Sequence, residues 1–75
     1  MIFNIGAALI SLRKTNSLTQ QEVADRLCVT RQTYSGWEHN KCDLSFSKLA
    51  DVAAIYQMKM DTFVRFITAF SSDNL

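Results

Sequence analysis

Apolar residues return at intervals of three and four along nearly the whole chain and nowhere alternate for long, a pattern that predicts helices and no sheet. Ile5, Ala8, Leu9 and Leu12 form the first apolar face, which breaks at Lys14, Thr15 and Asn16. Val23, Ala24 and Leu27 form a second, with Gln20, Gln21, Asp25 and Arg26 on the opposite side. Thr19 and Glu22 mark its start with the spacing of a capping box: the hydroxyl accepts from the backbone N–H of Glu22, and the carboxylate accepts from that of Thr19. A three-residue bend follows, in which Val29 faces inward. Thr30 then caps a third helix whose buried stripe is Tyr34 and Trp37, with Glu38 beside them.

Lys41-Cys42-Asp43 reads as a loop. Ser45 caps a fourth helix, Leu44 and Leu49 make a hydrophobic staple, and Leu49, Val52, Ala53 and Tyr56 give a face ending near Tyr56 or Gln57. Met58 and Lys59 lead to a last helix carrying Met60, Phe63, Phe66, Ile67 and Phe70, and polar residues close the chain from Ser71. The expectation is an all-α, compact five-helix bundle forming a single domain over 1–75, with a helix-turn-helix at about 20–40 and a dimerisation helix at 60–70. Helices this short are marginal alone, so the second and third need the first as a packing partner.

At 75 residues the chain is near the size where one core barely outweighs chain entropy, which leaves no room for a separate sensor or catalytic domain. The hydrophobic fraction of 48% and the absence of proline argue against disorder. No apolar run is long enough to span a membrane and no signal-peptide pattern opens the chain, so a cytoplasmic protein that does not engage membranes is expected. Cys28 and Cys42 match no zinc spacing and read as ordinary thiols; neither metal nor cofactor is expected. Catalysis is not expected either, because there is no paired-carboxylate cleft, phosphate-binding glycine loop or Ser/His/Asp set, and His39 and Cys42 lack an orienting third group.

What the helix pair offers is nucleic-acid chemistry. In a helix-turn-helix the second helix enters the major groove, where each base pair shows a different donor and acceptor pattern. The first exposed residues of that helix are Arg31, Gln32 and Thr33, with Ser35 and Gly36 further along. Arg31 can donate twice to guanine O6 and N7, and Gln32 can pair bidentately with adenine. Thr19 and Gln20 at the start of the preceding helix, and His39 and Lys41 beyond the recognition helix, are the candidates for phosphate contact. Net charge is only +1, but residues 1–42 hold five Lys/Arg against three Asp/Glu, so the surplus lies with the helix pair. So weak a field suggests that two copies are needed to hold DNA.

The run LTQQEVADRLCVTRQTYSGWEHNK, followed by LSFSKLADVAAIYQMKMDTFV, resembles the Cro/C1-type (XRE-like) helix-turn-helix family, the phage-repressor fold, over residues 6–64. The resemblance implies a lambda-repressor-like bundle. It also implies phosphate contacts at Gln20 and Lys41, base-facing roles for Arg31, Gln32, Thr33 and Gly36, and a partly buried ion pair between Arg13 and Glu38. Cys28, Asn40 and Gln57 stand where the family often has glycine. Cys28 would be strained by about 1 kcal/mol or more at positive φ. Lys59 stands where a capping hydroxyl is common, so the start of the last helix should be weak.

The function expected is a sequence-specific transcription regulator: a homodimeric repressor on a palindromic operator in double-stranded DNA, with Phe63, Phe66, Ile67 and Phe70 at the dimer surface. Two alternatives remain. One is an antitoxin-like module acting through a protein partner; the other is a restriction-modification controller able to activate as well as repress.

Overall fold

The computed structural model describes residues 4–72, which form five helices and no strand: α1 (Ile5–Thr15), α2 (Gln20–Leu27), α3 (Arg31–Glu38), α4 (Phe46–Ile55) and α5 (Met60–Ser72). The core takes residues from every helix: Ala8 and Leu9, Val23, Ala24 and Leu27, Tyr34 and Trp37, Val52 and Ala53, and Phe63 and Ile67. α3 is packed against both α1 and α2, while α5 closes the bundle against α1 and α4. Tyr34 and Trp37 meet edge to face, with ring centroids 6.2 Å apart.

Four helix starts are set by a side-chain oxygen three residues ahead of the amide it accepts from. Asn4 accepts from Ala7, Thr19 from Glu22, Thr30 from Thr33 and Ser45 from Lys48. At α2 the box is closed by the Thr19 N–H, which donates to Glu22 Oε1 at 2.9 Å. α5 begins without such a cap; Asp61 accepts instead from the neighbouring Thr62 N–H.

The first four helices also end alike. Ser17, Cys28, Asn40 and Gln57 all take left-handed φ values of 56° to 59°. Each donates its N–H three residues back, and the next residue donates five residues back: Leu18 to Arg13, Val29 to Ala24, Lys41 to Gly36 and Met58 to Ala53, at 2.9 to 3.0 Å. This is the Schellman exit, which normally seats an apolar pair between its two outer positions. Leu18, Val29 and Met58 supply the apolar outer residue and pack against the core, although the position paired with Leu18 holds Arg13. After α3 the two positions hold Lys41, which is exposed, and Gly36, so this exit carries no apolar plug.

Neither described glycine serves a left-handed turn. Gly6 lies where α1 meets the end of α3: a Cβ there would fall 2.1 Å from the Glu38 carbonyl oxygen, so only glycine lets the two backbones touch.

One expectation needs correction. Phe63 is 0% exposed and belongs not to a dimer surface but to the protomer's own core, which the α5 stripe had to fill first; Ile67, 6% exposed, packs in that core and also edges an apolar hollow lined by Ile5, Phe46, Leu49, Met60 and Val64. Phe66 and Phe70 are half-buried and stack edge to face at 5.0 Å. α4 runs to Ile55 with Tyr56 as its cap, in keeping with the apolar spacing.

Candidate nucleic-acid interface

Thr30 holds the first turn of α3 clear of the bundle. Its Oγ1 accepts from the Thr33 N–H at 3.1 Å and donates to Thr33 Oγ1 at 2.9 Å. Arg31, Gln32 and Thr33 are all exposed, while Tyr34, Trp37 and Glu38 on the opposite side are buried. Among the described residues the guanidinium of Arg31 and the amide of Gln32 have no protein partner, and each keeps its full bidentate capacity.

Arg31, Gln32, Ser35, Gly36, His39 and Lys41 line one open hollow of about 250 Å³. No carboxylate lines it, because the acid of α3 is turned the other way. Gly36 forms its floor, and a Cβ there would meet the Cys42 sulfur at 3.2 Å. The α3 exit that lacks its apolar pair borders this hollow, whose rim is cationic through Arg31 and Lys41.

His39 is constrained more than its loop position suggested. Nδ1 lies 2.7 Å from the Ser35 carbonyl oxygen, which can only accept, so Nδ1 carries the ring proton.

Arg13 and Glu38 meet behind this surface. Arg13 Nε donates to Glu38 Oε2 at 2.6 Å and Nη2 donates to Oε1 at 3.2 Å, while Nη1 donates to the Leu18 carbonyl at 3.1 Å. The Glu38 side chain is 1% exposed and that of Arg13 16%. Gln20 Nε2 also donates to Glu38 Oε1, at 2.9 Å, so the amide expected to face a phosphate is tethered inward by one of its two N–H groups. The second N–H and the free backbone amides at the start of α2 remain for an anion. Burial pushes the Glu38 carboxyl up, but the bonds from Arg13 and Gln20, with the Tyr34 hydroxyl close by, outweigh it and hold the group below its ordinary value. The Tyr34 hydroxyl is buried beside the same carboxylate without full hydrogen-bond geometry, and burial together with that negative neighbour drives its pKa up.

Sequence reasoning missed two parts of this arrangement. Asn4 and Asn40, 36 residues apart, are joined by a side-chain bond of 3.1 Å, and Asn40 also accepts from the Gly6 N–H at 3.0 Å. Lys48 Nζ donates to the Leu27 carbonyl at 3.4 Å, placing a cation at the end of α2. Asn4 as a helix cap was legible from its place before an apolar periodic run; the pairings across the bundle had no local signal.

Among the described residues there is no helix long and apolar enough to cross a membrane and no cluster fit to hold a metal ion. No curated protein matches the sequence. Two solved structures of the clp gene regulator ClgR from Corynebacterium glutamicum share the fold. One has a TM-score of 0.80 and 24% identity, covering 88% of this chain and 70% of that one. The other has a TM-score of 0.82 and 23% identity, covering 93% of this chain and 91% of that one. A helix-turn-helix family model matches residues 9–63, from the middle of α1 into the first turn of α5. That span takes in the whole α2–α3 unit and the helices that hold it, and the chain belongs to the Cro/C1-type, XRE-like helix-turn-helix family of DNA-binding transcription regulators.

Proposed function

We propose that this regulator is a homodimeric repressor that occupies a roughly palindromic operator and blocks transcription by excluding polymerase. The observation that carries the reading is the acid-free face of α3, where Arg31 and Gln32 project together above the hollow floored by Gly36. Arg31 reads guanine and Gln32 adenine, with Thr33 and Ser35 adding hydroxyl contacts and Gly36 letting the backbone approach. Thr19, Gln20, His39 and Lys41 hold phosphates.

Dimerisation is supported by scale. A net charge of +1 gives a protomer little hold on DNA, and with extents of 34 × 25 × 23 Å two copies packed side by side can set their centres about one turn of duplex apart. Half-sites about 34 Å apart suit such a pair. With Phe63 committed to the core, the surface best fitted to a second copy is the apolar hollow of Ile5, Phe46, Leu49, Met60, Val64 and Ile67, where Phe46 is 73% exposed.

Duplexes selected from a random pool by the whole chain should yield a two-fold-related consensus. Arg31→Ala and Gln32→Ala should each relax preference at particular base pairs by roughly 1–3 kcal/mol, while Lys41→Ala should weaken all duplexes alike and lower the salt slope by about one. Equal losses on selected and random duplexes for all three changes would overturn these roles. The same exposed Phe46 favours a second reading, an antitoxin-like module acting through a protein partner; selection that enriches no duplex would favour it.

A further inference from the structure

We propose that Asn40 is a positioning residue for DNA recognition, fastening the exit of α3 to the first turn of α1 and so setting the tilt at which Arg31 and Gln32 are offered to the groove. The proposal rests on the DNA-binding reading above. Asn40 Oδ1 accepts from the Gly6 N–H at 3.0 Å, and Nδ2 donates to Asn4 Oδ1 at 3.1 Å. Asn4 Oδ1 in turn accepts from the Ala7 N–H at 3.2 Å. Both ends of one amide are thus spent on the start of another helix. Of the four described residues with left-handed φ, Ser17, Cys28, Asn40 and Gln57, Asn40 is the one whose side chain bonds to a different helix.

Beneath this link the backbones touch. A Cβ at Gly6 would lie 2.1 Å from the Glu38 oxygen, 2.7 Å from the Glu38 carbonyl carbon and 2.9 Å from Asn40 Nδ2. The end of α3 therefore rests on α1 without an intervening side chain to yield. At the other end of α3, Arg31, Gln32 and Thr33 are exposed. A helix of eight residues is about 12 Å long, so a change of about 5° at its fixed end moves the far tip by about 1 Å. Bidentate base contacts tolerate little of that, whereas attraction to phosphate hardly senses it. Glycine at position 40 would satisfy the φ of 57° equally well. What asparagine adds is the amide.

The test uses the whole chain, a duplex bearing the site it selects, and a random-sequence duplex of equal length. Asn40→Gly keeps the turn and removes the link; Asn40→Asp keeps an acceptor for Gly6 and loses the donor to Asn4. The ratio of the two dissociation constants is the readout, because partial unfolding weakens both complexes by one factor and leaves the ratio alone. Asn40→Gly is expected to lower the ratio about tenfold, comparable to losing one base-pair contact, and Asn40→Asp by less. A ratio in Asn40→Gly within twofold of the unaltered chain, even with both affinities weakened, would overturn the positioning role while leaving the DNA reading intact. No preference for any selected duplex in the unaltered chain would remove that reading and this proposal with it.

Discussion

A carboxylate buried as deeply as that of Glu38 is tolerable because Arg13 and Gln20 occupy both of its oxygens, and this makes the bundle's stability depend on pH at both ends of the scale. The folded state holds Glu38 below the ordinary 4.5, so its contribution is complete above that value and is lost as pH falls through the depressed one. Glu22, held down by its bonds to Thr19, acts in the same sense. Tyr34 works in the opposite range. Its folded pKa is raised above 10.0, so its contribution is complete below pH 10.0 and fades as the unfolded chain begins to ionise. Urea titrations should show a plateau between these limits. Glu38→Gln should cost about 2–3 kcal/mol at pH 7 and flatten the acid limb; an unchanged acid limb would show that this carboxylate does not govern it. Tyr34→Phe should be nearly neutral at pH 7, since the hydroxyl lacks a full hydrogen bond, and should shrink the alkaline limb, leaving the part due to Tyr56. The partners around Glu38 show where residue-level reading stops. Arg13 was named through family resemblance, while Gln20, 18 positions from Glu38, was assigned a phosphate because nothing in its own neighbourhood points inward.

Helix starts were legible because they are local: Thr19, Thr30 and Ser45 each cap an amide three residues on. Helix ends were legible only where a glycine was conspicuously lacking. Cys28, Asn40 and Gln57 stood out for that reason, but Ser17 adopts the same left-handed turn unannounced. For an L-residue this conformation costs about 1–2 kcal/mol, partly offset in glycine by greater freedom of the unfolded chain. Cys28→Gly and Gln57→Gly should therefore each stabilise by about 1 kcal/mol, raising the melting temperature by roughly 4–8 °C in a domain of this size. Melting curves that do not rise would mean that the turns are not strained. At α5 the periodicity was right and its destination only partly so. A stripe of phenylalanine and isoleucine reads the same whether it fills a protomer or joins two, and Phe63 and Ile67 went to the interior.

At the level of the molecule, the proposed dimer makes a prediction independent of the recognition helix. Phe46 and Val64 are 73% and 47% exposed, so Phe46→Asp and Val64→Asp should leave the fold intact. Sedimentation equilibrium should find dissociation about tenfold or more weaker in each, with a matching loss on the two-fold site and little loss on a single half-site. Dimerisation unaffected by both changes would place the contact elsewhere. The unplugged exit of α3 carries a last consequence. Where the other ends bind the core through Leu18, Val29 and Met58, this one forgoes cohesion to keep a cation and an open floor in solvent. Activity and robustness should then trade against each other at a single position. Lys41→Leu is expected to melt no lower than the natural chain while losing affinity for every duplex, so selection for thermal endurance alone would tend to erase the regulator's function.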